Sequence, residues 1–258
     1  MRTLFLTSSP TGAYRSDVPP DFAGFDPSNG LADELRGRWK AGARCLLIAA
    51  FPESYAQNDQ MREYFESILG QTGLACSCLD LCDGRNGREA VQALRSYDML
   101  ILGGGHVPTE LAFFHSIGLP EQIRLFEGIV MGISAGSMNC SRIVYAQPEM
   151  PGEATDPSYQ RFLPGLGLTQ FNILPHYQAV KEDMVDGLRL MEEITFPDSR
   201  GHTFYAIPDG TYLLQDEKGA WLCGEAYRIR DGILQKVCED NQRIRLDMDC
   251  RDRLFSGN

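Results

Sequence analysis

The residues Gly132-Ile133-Ser134-Ala135-Gly136 spell G-x-S-x-G. They follow the small and apolar run Gly128-Ile129-Val130-Met131 and precede Ser137-Met138-Asn139-Cys140. Strand, sharp turn and helix is the grammar of a nucleophile elbow. Such an elbow holds a serine hydroxyl on a strained turn, between glycines that let the chain bend without a Cβ clash. The helix that begins there aims its unpaired N–H groups at an oxyanion formed beside the serine. A plain Gly/Ser turn would use the same five residues, so the reading depends on what accompanies them. Upstream, Tyr97-Asp98-Met99-Leu100-Ile101-Leu102 reads as a buried strand ending in Gly103-Gly104-Gly105-His106. Glycines at a strand's carboxyl end let backbone N–H groups approach a ligand, and acyl transfer needs a second oxyanion donor beside the N–H that follows the serine. Downstream, Phe171-Asn172-Ile173-Leu174-Pro175 leads to His176 and Tyr177. A histidine ending an apolar run, in a chain with a serine elbow, is a general-base candidate. Of the four histidines, His106 lies in the glycine loop, and His115 and His202 sit in surface or structural surroundings.

A serine–histidine pair needs a third group that holds the imidazole in one tautomer and stabilises its cation. Two carboxylates compete. Glu149 sits in the proline-bracketed loop Gln147-Pro148-Glu149-Met150-Pro151, and Asp209 in the turn Ile207-Pro208-Asp209-Gly210. Chain order does not decide, because triads converge on unrelated orders. The balance leans to Asp209, which leaves Glu149 supporting the site or facing the substrate.

The order of the glycine loop, Gly-x-Ser-Ala-Gly and Pro-His-Tyr resembles peptidase E, the aspartyl dipeptidase family of serine peptidases (S51), whose longer relatives are the cyanophycinases. The resemblance covers roughly residues 1–214. It implies a fold similar to the class I glutamine amidotransferase domain, with Ser134 as nucleophile, His176 as base, and Ala135 with Gly104 and Gly105 as oxyanion donors. Glu149 falls where that family has an acid between serine and histidine, and Asp209 where it has a Pro-Glu-Gly turn. His106 stands where the family has an asparagine tied to substrate recognition, and the stretch 154–163 is individual. The implied activity is hydrolysis of small peptides, among them dipeptides with an N-terminal aspartyl residue. Such a side chain needs a cation or several donors, for which His106, Arg142 and Arg161 are candidates. The competing reading is an amidotransferase-like or ligand-binding protein without peptidase activity. Glutamine amidotransferases place cysteine at the elbow, whereas here Ser134 occupies it and Cys140 lies six residues on.

Composition narrows the remaining classes. The 258 residues suit one large domain. A formal charge of −11 argues against nucleic acid or an anionic membrane as partner. No apolar stretch is long enough to span a bilayer. The run Met1–Ser9 is too brief for a signal segment and reads as a first strand, so a cytoplasmic protein is expected. Eight cysteines are then expected to stay reduced. Cys76, Cys78 and Cys82 make a poor metal site, because alternate residues of a strand point to opposite faces and no histidines join them. Neither a metal nor a cofactor is expected. A small peptide is the expected partner, and a homodimer is left open.

The elements that must position these groups alternate along the chain. Strands are expected at 2–8, 44–50, 75–81, 99–102 and 129–133. Helices are expected at 29–39, 58–72, 87–96, 109–116 and 120–126, the second with Met61, Tyr64, Phe65, Ile68 and Leu69 at helical spacing. This alternation predicts an α/β fold, a mostly parallel sheet with helices on both faces and ligands at the strands' carboxyl ends. Segments 11–29 and 147–165 read as long loops, the first able to lie over the site mouth. A helix is expected from Lys181 to Glu193. Short strands at 204–207, 211–214, 220–223, 226–230 and 233–237 predict an antiparallel extension of the same domain over about 204–250, with turns at Lys218-Gly219 and Asp231-Gly232.

Overall fold

The computed structural model describes residues 2–11 and 24–247. The site-mouth segment expected at 11–29 therefore lies largely outside the described residues. Five parallel strands form the centre: β1 (Thr3–Thr7), β2 (Ala43–Ile48), β3 (Cys76–Cys82), β4 (Met99–Leu102) and β5 (Ile129–Ile133), in the order β1-β5-β4-β2-β3. Their apolar side chains split by period two. Leu4, Leu6, Leu46, Ile48, Leu100, Leu102 and Val130 enter one core. Phe5, Cys45, Leu47, Met99, Ile101 and Met131 enter the other. Helices α1 (Leu31–Arg36) and α2 (Tyr55–Gln71) cover the second core. Helices α3 (Gly87–Gln92), α4 (Val107–Ser116), α5 (Leu119–Ile123) and α6 (Ala135–Asn139) cover the first. This is the mostly parallel sheet with helices on both faces that the alternation implies. The expected helix at 29–39 is shorter, because Gly30 at φ 76° breaks it from a preceding 3₁₀ turn.

After α6 the chain forms the antiparallel pair β6 (Ile143–Tyr145) and β7 (Phe162–Pro164), then β8 (Asn172–Leu174) and the short α7 (Tyr177–Val180). The expected helix from Lys181 to Glu193 is not formed. Its place is taken by the hairpin β9 (Met184–Val185) and β10 (Leu188–Arg189), then a π-helical turn over Leu190–Thr195. Asp186 and Gly187, both at positive φ (54° and 82°), make a two-residue hairpin turn in mid-segment. Turn chemistry thus overrides the helical pattern. Asp186 also accepts the N–H groups of Gly152 and Ala154, which ties the long loop before β7 to this hairpin.

The remaining elements are α8 (Phe196–Asp198), β11 (Thr203–Ala206), β12 (Tyr212–Asp216), β13 (Gly219–Cys223), β14 (Ala226–Arg230), β15 (Ile233–Cys238) and β16 (Arg243–Leu246). They supply the expected antiparallel strands at the C-terminus, divided between two sheets. β12, β13 and β16 continue the central sheet from β1, each antiparallel to its neighbour, whereas β15-β14-β11-β8 is a second sheet. In that second sheet β11 runs parallel to β8, so the two carboxyl ends lie side by side. Asp231-Gly232 forms the expected two-residue hairpin, with φ 51° and 79°.

Candidate active site

Register aligns the carboxyl ends of the central strands: Thr7 with Ile133, Leu102 with Gly132, and Ile48 with Leu102. Ser134 sits at this edge with φ 51° and ψ −114°, in a region costly for any side chain, by about 1–3 kcal/mol. The turn is held from below. The Ser134 N–H and the Ser137 hydroxyl both donate to the Thr7 carbonyl, at 3.0 and 2.8 Å. The flanking glycines are required by close approach. A Cβ on Gly136 would lie 2.5 Å from the carbonyl oxygens of Leu102 and Gly103, and one on Gly132 would lie 2.7 Å from Ser137 Cα.

The second sheet brings up the other two groups. His176 follows β8 in the left-handed conformation (φ 57°, ψ 31°), which histidine tolerates better than most residues. Asp209 follows β11 on a turn that returns to β12. Ser134 Oγ lies 2.9 Å from His176 Nε2, and His176 Nδ1 lies 2.7 Å from Asp209 Oδ1. The three side chains form one hydrogen-bonded relay. With Nδ1–H donating to Asp209, Nε2 is free to accept the serine proton.

Two residues that the sequence did not single out complete the carboxylate's setting. Ser8, fully buried at the end of β1, donates its hydroxyl to Asp209 Oδ1 at 2.6 Å and accepts the His176 backbone N–H at 2.7 Å. Gln178 donates to Asp209 Oδ2 at 2.7 Å and accepts the Asp209 N–H at 3.1 Å. Burial alone would push the Asp209 carboxyl up. The hydrogen bonds from His176 and Ser8, then the His176 charge and Gln178, outweigh it and hold the carboxyl below its ordinary range. The signal for Ser8 was its position at a strand's carboxyl end, but its partner is 201 residues away in the chain.

Glu149 makes no hydrogen bond to His176 among the described residues. Its side chain is exposed, yet its crowded neighbourhood pushes the carboxyl upward, Glu153 in the same direction, against the pull of His106 and His176. His106 is engaged by Glu153 (Nε2 to Oε1, 2.7 Å) and by Thr109 (Nδ1 to Oγ1, 2.8 Å). Glu153 Oε2 accepts the N–H groups of Glu149 and Met150, so the loop carrying Glu149 is pinned beside the glycine loop. Arg161 is paired with Asp198. Arg142 lies beyond the end of α6, its backbone paired with Thr169 and Gly165. The structure does not bring Arg142 or Arg161 into the relay.

At the glycine loop, a Cβ on Gly104 would stand 3.3 Å from Ser134 Cβ, so this backbone passes directly beside the serine. Gly105 packs as closely on Ala50 and Phe51, where a Cβ would lie at 2.7 Å. None of the three glycines has a positive φ, so close approach is the reason for them here. Among the described residues nothing accepts from the N–H of Gly104, Gly105 or Ala135. Among the same residues no group of three or more His, Cys, Asp or Glu side chains could hold a metal ion.

Residues 31–223 match the model of peptidase family S51. The chain belongs to peptidase family S51. It is a serine-type peptidase, and the elbow, histidine and acidic turn all fall within the matched span. A crystal structure of a Listeria monocytogenes EGD-e protein assigned as a peptidase E shares the fold, with a TM-score of 0.55 at 19% identity. The match covers 92% of this S51 chain and 100% of that one. No curated protein matches the sequence. No helix among the described residues of the S51 chain is long and apolar enough to cross a membrane.

Proposed function

We propose that this S51 peptidase hydrolyses short peptides by acyl transfer, with Ser134 as nucleophile, His176 as general base and Asp209 as the carboxylate that orients it. The observation that carries this reading is the unbroken relay from Ser134 Oγ through both imidazole nitrogens to Asp209. Ser134 Oγ attacks the scissile carbonyl while its proton passes to His176 Nε2. The carbonyl oxygen becomes an oxyanion beside the N–H groups of Ala135 and of Gly104 or Gly105. His176 then gives the proton to the leaving amine, and water, deprotonated by His176, releases the acid from Ser134. No step requires a metal or an organic cofactor. The seven described cysteines are free thiols, which suits a cytoplasmic setting.

The same proposal makes a prediction at the glycine loop. A side chain at Gly104 would meet Ser134 and displace the donor. Gly104→Val is expected to lower turnover by about 10²–10³ with little change in substrate binding, since the donor acts on charge that develops in the transition state. Kinetics like those of the wild type would place the second donor elsewhere.

For substrate choice, the acids matter more than the cations. His106 and Arg161 are already paired with carboxylates, whereas Glu149 is exposed and close enough to His176 to act on it electrostatically. Glu149 suits the free amino group of a short peptide better than a second negative charge, so an N-terminal aspartyl side chain would have to rely on His106. A panel of dipeptides varying the first residue, each with and without N-acetylation, tests this. Cleavage of the free peptides with loss on acetylation is expected. Equal cleavage of both forms would overturn the ammonium role of Glu149, and a sharp preference for aspartyl would assign His106 to the substrate despite Glu153.

A further inference from the structure

Helix α4 begins at the glycine loop and α6 begins at Ser134, and the two pack against each other. Two ties join them. One is at loop level, where the Gly136 N–H donates to the Gly103 carbonyl at 3.0 Å. The other is deeper and entirely buried: Asn139 at the end of α6 donates through Nδ2 to Glu110 Oε2 at 2.8 Å and to the Val107 carbonyl at 3.2 Å. Both acceptors face Nδ2, so the amide cannot be turned over, and its oxygen is fixed on the other side. Asn139 Oδ1 and Glu110 Oε1 are then both buried without a partner. Each of these oxygens accepts, so neither satisfies the other, and two unpaired buried acceptors on adjacent planar groups call for an explanation. One proton supplies it.

We propose that Glu110 is held as a neutral carboxylic acid whose O–H donates from Oε1 to Asn139 Oδ1, closing a two-bond acid–amide ring that fixes the glycine loop relative to the nucleophile helix. The pair satisfies every polar atom of both side chains. Glu110 has no exposed surface and no cationic partner among the described residues. Burial pushes its carboxyl well above the usual range, and the Asn139 bond opposes this only in part. Glu110 also lies in the first turn of α4, whose positive end favours the anion. That effect changes an ionisation equilibrium by up to about thirtyfold, against about 10³–10⁵-fold for full burial. The titratable neighbour on the facing element is the Cys140 thiol of α6, itself buried and pushed up. Arg2, on the N-terminal side of β1, acts on Cys140. In this arrangement Glu110 is a positioning residue. It touches no substrate, and it holds Gly104 and Ala135 at a constant separation.

Glu110→Gln is the informative variant, because a glutamine amide donates to Asn139 Oδ1 and accepts from Asn139 Nδ2 in the same ring without a titrating proton. A neutral Glu110 has a folded ionisation above its unfolded value of about 4.3. Its contribution to stability is complete below that pH and is lost as pH rises toward the folded value. Urea unfolding of both proteins from pH 5 to 9 is therefore expected to show the wild-type unfolding constant rising relative to E110Q, by about tenfold per pH unit below the folded ionisation and levelling off above it. Contributions from other groups cancel in that ratio. A ratio independent of pH, as an ionised Glu110 or a bridging water would produce, overturns the proposal. The positioning role rests on the peptidase reading, and its test does not use a peptide. The rate of fluorophosphonate labelling at Ser134 is expected to fall about tenfold or more in E110A and to stay within about threefold in E110Q. E110A labelling at the wild-type rate, or E110Q labelling as slowly as E110A, overturns the role. The folding comparison needs only E110Q and stands even if E110A does not fold.

Discussion

Ser134→Ala is expected to lower peptide turnover by about 10⁴ or more, since the members of a serine relay act as a unit. The fold should survive. The elbow is held by the Ser134 backbone N–H on Thr7 and by Ser137, not by the Ser134 hydroxyl, and alanine faces the same backbone strain that serine already bears. The measurement is turnover on the peptide panel beside fluorophosphonate labelling, with a thermal midpoint to certify folding. Labelling should vanish together with activity. Turnover that persists in a clean, folded preparation would mean that another group forms the acyl-enzyme, and the Ser134–His176 contact would then be structural.

The second large effect concerns the acid. Asp209→Asn is expected to cost about 10³–10⁴ in turnover, because an amide no longer enforces the tautomer in which Nδ1 carries the proton. The size of the loss follows from how completely Asp209 is committed. One oxygen takes bonds from His176 and Ser8, and the other takes one from Gln178. Glu149→Gln should cost far less in turnover and raise KM for peptides with a free amino end. The reverse ranking would assign the acid to Glu149. A second readout separates orientation from bulk. Asp209 is held below its ordinary range, so its contribution to stability is present above about pH 3.9 and is lost as pH falls toward the folded value. Asp209→Asn should therefore flatten the acid side of the stability profile.

The elbow was legible because it is local. Five consecutive residues must form a strained turn between a strand and a helix, and few residue types allow it. The central strands were legible for a related reason: β4 is buried along its whole length, so its run is apolar throughout and bounded by glycine. The segment 181–193 misled because spaced apolar residues suggested a helix, while Asp186-Gly187 made a hairpin turn that outweighed that pattern. The strands β11 to β15 were found one by one, but β16 at Arg243–Leu246 was missed, and so was the division of these strands between two sheets. Strand propensity says where a strand is and nothing of its neighbour.

What the sequence by itself determined is the chemistry on offer: a serine on an elbow, a glycine loop to face it, a histidine at a strand end and two acids from which to choose. What only the tertiary structure decided is which of these groups touch. Asp209 reaches His176 because β11 runs parallel beside β8, and its carboxyl is held below the ordinary range because His176, Ser8 and Gln178 donate to it. Glu149 is kept apart by a loop pinned through Glu153 to His106, and Glu110 meets Asn139 because two helices that start at the site pack together. Apart from the Glu149–Glu153 bond within one loop, these contacts join residues far apart in the chain. A hydrogen bond of 2.7 Å depends on the placement of whole sheets and helices, and no local pattern of residue types carries that information.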